Sequence, residues 1–296
     1  VKEYAPESFY WPSSPFARED GGSDDHNGDR HYWDVWHGKK PIETYNKERS
    51  RFFSEYGFQS FPEFESVKRY APCEEDWDIY SEVMMSHQRG GMHANQLIET
   101  YLLNEYRKPK NFEAFLYMNH VLQGDAIKTA IEAHRRDMPY CMGTLFWQHN
   151  DCWPVASWAS RDYYGLKSCN GTLQVEVMKL TGEKVNSYKR NIKIDANSSQ
   201  TVFSVPLGEA LKNTPKEDVF VHAVLLTDKG KNSYANNYFL VKQKEVNYPK
   251  AAITSSIEPI EGGFELTLNS DNFARAVFIT IGDVDSSFSD NYFDIL

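Results

Sequence analysis

The chain has 296 residues, 41% of them hydrophobic, and a formal net charge of −10 at pH 7, which allows two or three domains with a sizeable core. That acidic balance argues against nucleic acid or an anionic membrane as a partner, since each needs a basic face; a neutral or cationic ligand fits better. No apolar run reaches the ~18 residues of a membrane span, and no basic-apolar-small leader opens the sequence. Cys73, Cys141, Cys152 and Cys169 lack CxxC spacing, so buried free thiols are expected and neither a metal site nor a cofactor is implied.

Taken in order, Val1 is not an initiator Met, and Val1 to Pro6 reads as a helix end running into a strand. The chain is therefore expected to be a piece of a longer polypeptide. Before Gly165, which is preceded by all seven Trp, short apolar runs read as buried strands at Ser8–Ser14, His31–Trp36, Arg51–Tyr56 and Gly143–His149. Helical patterns separate the last two. One starts at Cys73-Glu74-Glu75-Asp76, where negative charge suits the helix dipole, and stops at Gly90-Gly91. Another carries Leu97, Ile98, Tyr101 and Leu102. The longest follows Asn111, a good N-cap, and repeats Phe112, Phe115, Leu116, Leu122, Ala126, Ile127, Ala130 and Ile131 up to about Arg136. Uniformly apolar strands alternating with helices predict a parallel sheet covered by helices, open or closed. The absence of a Gly-rich phosphate loop weakens a nucleotide-binding reading.

After Gly165 the pattern changes to alternating strands: Leu173 to Val177, Tyr188 to Ile194 beyond a turn at Thr181-Gly182, Val202 to Val205, Val219 to Leu226 and Asn237 to Val241. That spacing predicts a small immunoglobulin-type sandwich. Tyr248-Pro249-Lys250 reads as a linker. From Ala251 a second β segment follows, with Phe264, Leu266 and Leu268, then Val277, Ile279 and Ile281, too short to close a sandwich. Domains are thus expected at 1–165, 166–248 and 249–296.

Chemistry is expected at Glu55. It ends an apolar strand two residues before Gly57, and a carboxylate that has lost water there must be paired, hydrogen-bonded or neutralised. A neutral ligand, a strand-tip carboxylate and tryptophans at other strand tips together point to carbohydrate, whose C–H faces stack on aromatic rings. Trp33, Trp36 and Trp147 are the candidate rings. Asn150 and Asp151, close behind Trp147, are candidate hydroxyl partners, and His37 either meets substrate or Glu55 or has a structural role. The polar run Asp24 to Asp29 lacks the EF-hand pattern and reads as a loop at the mouth of the site.

Three segments, HYWDVWHG (31–38), RFFSEYGFQSFP (51–62) and FWQHNDCWPVASWASRDYYG (146–165), resemble the family 2 glycoside hydrolases and, within them, the β-mannosidases. SEYG alone is shared across that family; the three in this order are more specific. The resemblance implies α/β followed by all-β: the second half of a (β/α)8 TIM barrel, the four strands above being strands five to eight, then immunoglobulin-like β-sandwich domains. It implies an exo-acting β-mannosidase that retains configuration, with Glu55 as nucleophile, a mannoside or oligosaccharide as substrate, and no cofactor. The second carboxylic acid, which in the family follows an Asn at the end of strand four, has no counterpart before Ser8; Asn104-Glu105 lies in a predicted helix. The acid is therefore expected in upstream domains of the same polypeptide, and Asp34, Glu63 and Asp151 are weaker substitutes. The family's barrel-closing helix after Gly165 is also missing, so the chain is expected not to fold alone. The compartment would be periplasmic or secreted for a bacterial protein and lysosomal for an animal one. Competing readings are a β-galactosidase or β-glucuronidase on the same scaffold, or a non-catalytic carbohydrate-binding protein.

Overall fold

The computed structural model describes residues 3–16, 25–158, 169–195, 198–227, 232–282, 284 and 286–296. Expectations for the segment around Gly165, including the boundary there and the missing helix, fall outside them. The chain divides into two compact units, the first made of Val1–Asn104, Lys108–Lys167 and Asp195–Gln200, the second of Glu105–Arg107, Ser168–Ile194 and Thr201–Leu296.

The first unit is built on three parallel segments. Strand β1 (Arg30–His31) pairs with β2 (Phe53–Glu55), and Thr144 bridges Phe53 in parallel on the other side. Backbone bonds continue past these short strands: Tyr32 N–H donates to Glu55 O at 2.7 Å, Leu145 N–H to Phe53 O at 2.8 Å and Trp147 N–H to Tyr56 O at 2.7 Å. β2 is thus hydrogen-bonded on both sides, the condition of a buried parallel strand, which needs helices over it.

Helices α1 (Phe64–Tyr70), α2 (Glu82–Ser86), α3 (Gly91–Glu105) and α4 (Phe112–Arg136) belong to this part of the chain. α4 begins as its sequence predicts, with Asn111 Oδ1 accepting the Ala114 N–H at 2.8 Å. It buries Leu116, Leu122, Ala126, Ile127, Ala130 and Ile131, a stripe at helical spacing. The helix expected between Cys73 and Arg89 is broken into a 3₁₀ turn at Glu74–Asp76 and the separate α2, which Ser81 caps through Met84 N–H. Gly91, at φ 61°, begins α3 instead of following a helix.

Two expected strands are corrected. Ser8–Ser14 forms no strand and is exposed, Phe9 to 85%; Pro12 has no N–H for a ladder, and Phe9 stacks on Trp11 and Trp11 on Phe16, close along the chain. His31–Trp36 ends as a strand at His31. Tyr32, Val35 and Trp36 are buried together, a spacing of three and one that belongs to a turn and not to a pleat. The cysteine expectation also fails in part: Cys141 is buried, but Cys73 and Cys152 are exposed.

The second unit holds an antiparallel four-stranded sheet in the order β4-β3-β5-β6, formed by β3 (Cys169–Lys179), β4 (Lys184–Ile194), β5 (Val219–Thr227) and β6 (Asn232–Phe239). The expected strand at Val202–Val205 is absent. Phe203 there packs on Tyr188 with centroids 5.0 Å apart, and Val205 packs on a core of Val177, Val219 and, from the short helix α5 (Leu207–Leu211), Ala210 and Leu211. A second cluster joins Leu180, Phe220, Val246 and Phe273. The hairpin β7 (Ile253–Ile260) and β8 (Gly263–Ser270) and the pair β9 (Ala274–Val277) and β10 (Phe293–Ile295) complete the described strands. Ile279 and Ile281 lie beyond β9, outside any strand.

Candidate active site

Glu55 closes β2, and its side chain retains 25% of its exposure. It is neither sealed in an ion pair nor free in solvent. His31 Nδ1 lies 3.2 Å from Oε2, and Trp33 Nε1 donates to the same oxygen at 3.3 Å. Oε1 has no hydrogen-bond partner among the described residues. One oxygen is thus held and the other is not.

Gly57 brings the third segment to this carboxylate. A Cβ built there would lie 2.6 Å from Trp147 O, 3.0 Å from Trp158 Cδ1 and 3.1 Å from Trp33 Cη2, so only glycine lets these groups close round the strand tip. Trp147 follows the Thr144 bridge, its backbone is fixed to Tyr56, and its ring stays 44% exposed. Trp33 and Trp147 therefore flank the chain two residues beyond Glu55.

The other expected residues divide. Trp36 is corrected: at 0% exposure, with its ring stacked 5.9 Å from that of Tyr101 and edge-on to Phe58 at 4.9 Å, it belongs to the core and not to a sugar platform. His37 is exposed, with its ring 5.3 Å from that of Trp33; desolvation, then nearby His93, hold its pKa below the usual imidazole value. Asn150 is exposed and uses its backbone oxygen to accept from Gln148 Nε2 at 2.6 Å. Asp151 receives Arg89 at 3.1 Å and Gln148 Nε2 at 3.3 Å on Oδ1, and Ser157 Oγ on Oδ2, which braces the loop behind Trp147. Of the other carboxylates considered, Asp34 pairs with Lys40 at 2.7 Å, Glu105 with Lys242 at 2.6 Å, and Glu63 is the N-cap residue of α1.

The partners of Glu55 that sequence reading overlooked are His31 and, behind it, Ser14 and Asp29. His31 Nε2 lies 3.1 Å from Ser14 Oγ, which donates to Asp29 Oδ2 at 2.6 Å. His31 opens the HYWDVWHG motif, but nothing in its spacing marks it apart from His37.

Residues 157–245 match a family model described as a Mannosidase Ig/CBM-like domain, and 248–296 one described as an Ig-fold domain. Beta-mannosidase B of Aspergillus terreus is 34% identical over 168 residues, 55% of this chain and 20% of that protein; the Aspergillus fumigatus protein of the same name is 35% identical over the same shares. The crystal structure of a β-D-mannosidase from Dictyoglomus thermophilum superposes with a TM-score of 0.84 at 26% identity, over 97% of this chain and 39% of that one. The chain is related to the C-terminal portion of the family 2 β-mannosidases. It spans about a fifth of the curated β-mannosidases it matches. An exo-chitosanase from Amycolatopsis orientalis, at TM-score 0.62, 14% identity and 87% of this chain against 39% of that one, shares the fold. The immunoglobulin-like models fall on the all-β part of this β-mannosidase relative, and the Glu55 site lies before them.

Proposed function

We propose that this chain is part of a retaining exo-β-mannosidase, with Glu55 as its nucleophile. The observation that supports this best is the division of labour on the Glu55 carboxylate. Oε2 is held by His31 and Trp33, which leaves Oε1 for the anomeric carbon. Oε1 would form a bond to that carbon as the glycosidic C–O bond breaks, and the leaving oxygen would take a proton from a second carboxylic acid about 5–5.5 Å away. The same acid, now a base, would draw a proton from the water that releases mannose and restores Glu55. In this reading the upstream part of the same polypeptide supplies the second acid. The parallel segments carrying Glu55, Trp33 and Trp147 are then consecutive strands of the second half of a (β/α)8 barrel, whose functional residues gather at strand C-termini. Trp33 and Trp147 offer rings to the sugar, with His37 and Asn150 at the rim.

The test uses the complete polypeptide with aryl β-mannoside, β-galactoside and β-glucuronide. Turnover of the mannoside alone, lost in Glu55→Gln, is expected, and a fluorinated mannoside should leave its label on Glu55. Preference for another glycoside would change the sugar and keep the nucleophile. A label elsewhere, or full activity in Glu55→Gln, would overturn the assignment.

A further inference from the structure

We propose that Asp151 is the positioning residue of Trp147 and Trp158, the two tryptophans that close round the strand tip beyond Glu55. Its one carboxylate joins the residue after the first ring to the residue before the second, and ties both to the turn between α2 and α3. The tie rests on geometry; its bearing on sugar binding rests on the proposed role of Trp147 as a stacking ring.

Residues 147–158 form a loop whose two ends meet at Gly57. Trp147 N–H donates to Tyr56 O at 2.7 Å and Gln148 N–H to Trp158 O at 3.3 Å. A Cβ at Gly57 would lie 2.6 Å from Trp147 O and 3.0 Å from Trp158 Cδ1, so both tryptophans pack against this one position. The far end has supports of its own. Ser157 and Ser60 exchange backbone bonds at 2.7 and 2.8 Å, Ala156 N–H donates to His87 O at 2.9 Å, and Ala156 O accepts from the buried Gln59 Nε2 at 2.9 Å.

Between these ends Asp151 grips the loop. Its side chain retains 10% of its exposure; Oδ1 accepts from Gln148 Nε2 at 3.3 Å and lies 3.1 Å from Arg89 Nη2, and Oδ2 accepts from Ser157 Oγ. Gln148 follows Trp147 and Ser157 precedes Trp158, so a single carboxylate couples the flanks of both rings. Gln148 Nε2 donates also to Asn150 O at 2.6 Å, which closes the turn between them. A carboxylate this buried needs donors on both oxygens. Among the described residues they come from the loop itself and from Arg89, and none from β1 or β2. Arg89 belongs to the turn between α2 and α3, and its side chain is 45% exposed, so the ion pair anchors the loop without forming part of the core.

The consequence is mechanical. Without the charge on Asp151, Gln148 is no longer coupled to Ser157 and Arg89, the 147–148 peptide is free to turn, and the Trp147 ring leaves the face on which a sugar would stack. A displacement of about 1 Å, caused by a change away from the chemistry, costs up to about a hundredfold. Asp151 therefore acts through Trp147 and not by meeting a sugar hydroxyl, and the ends of the loop, held by backbone, keep the fold when it is replaced.

The test is ¹⁹F NMR of the complete polypeptide carrying fluorotryptophan, with Trp36, Trp147 and Trp158 assigned by their loss in Phe variants. Asp151→Asn should move the Trp147 and Trp158 resonances and leave that of Trp36 in place, and Arg89→Met should move the same two. Unmoved Trp147 and Trp158 resonances in both variants overturn the proposal whatever the protein hydrolyses, and so does movement of all three, which would make Asp151 a residue of the fold at large. The kinetic arm uses an aryl β-mannoside. Asp151→Asn should raise KM about tenfold with little change in kcat, and should raise it no further in a Trp147→Ala background. Additive effects would mean that Asp151 touches the sugar itself, which overturns the positioning role. Shifted resonances in a protein that hydrolyses no glycoside would support the tie and overturn the reading of the site.

Discussion

His134 of α4 lies flat against Phe53 of β2, ring centroids 3.8 Å apart and planes within 12°. Its Nδ1 meets Thr144 Oγ1 at 2.8 Å, and its Nε2 is buried without a hydrogen-bond partner among the described residues. Burial pushes its pKa from 6.5 down to about 3, so the folded form keeps a neutral ring. Below pH 6.5 the unfolded chain binds a proton that the folded one refuses, and stability falls by about 1.4 kcal/mol per pH unit towards pH 3. Denaturant unfolding between pH 7 and 4 should show that slope, and His134→Leu should reduce it.

Gly57→Ala should disturb the site more than the strand. The added Cβ meets Trp147 O, Trp158 and Trp33, and only movement of one of them can relieve the contact. A stability loss of about 1–3 kcal/mol is expected, with kcat/KM for an aryl β-mannoside falling further than the melting temperature implies. An unchanged kcat/KM would mean that neither Trp33 nor Trp147 contacts the sugar.

Two tryptophans expected from the sequence to act alike should separate by experiment. Trp36→Ala empties a fully buried space beside Tyr101 and Phe58 and should cost about 3–5 kcal/mol of stability. Trp147→Ala removes an exposed ring and should leave the melting temperature nearly unchanged while raising KM. Thermal melts beside steady-state kinetics read both.

In the second unit, Glu176 is buried within β3 and receives Lys184, Gln174 Nε2 at 2.7 Å and Ser187 Oγ at 3.4 Å. Burial alone would raise its pKa, but these donors, Lys184 foremost, hold it below 4.5. Its contribution is therefore present above pH 4.5 and is lost as pH falls through the lowered value. Lys184→Met should cost about 1–3 kcal/mol at pH 7, a difference that shrinks once acid protonates Glu176. Comparing unfolding midpoints at neutral and acid pH tests this.

How legible each element was depended on whether local pattern or distant packing decided it. α4 could be read from Asn111 to Arg136 because its cap and apolar stripe lie within the segment itself. That Glu55 closes a buried strand was legible because the apolar run stops there. Ser8–Ser14 misled because its rings look like core, while Pro12 breaks the strand they suggest. Trp36 misled for a related reason: a strand is expected over His31–Trp36, whereas Tyr32, Val35 and Trp36 share one buried side of a turn. The chain Asp29–Ser14–His31 joins residues up to 17 positions apart through side-chain geometry alone, and no periodicity encodes that.

A single helix grips the Glu55 segment on either side of the carboxylate. Asn119 and Gln123 of α4 hold the backbone beyond it, Asn119 Oδ1 accepting Phe61 N–H at 3.1 Å and Gln123 Nε2 donating to Phe58 O at 2.7 Å, while His134 supports Phe53 before it. The carboxylate thus rides on a beam fixed at two points to the same rod. Bending that rod would tilt the carboxylate without touching any group around it, so amide exchange along α4 should track the site's alignment more faithfully than exchange in its surrounding loops.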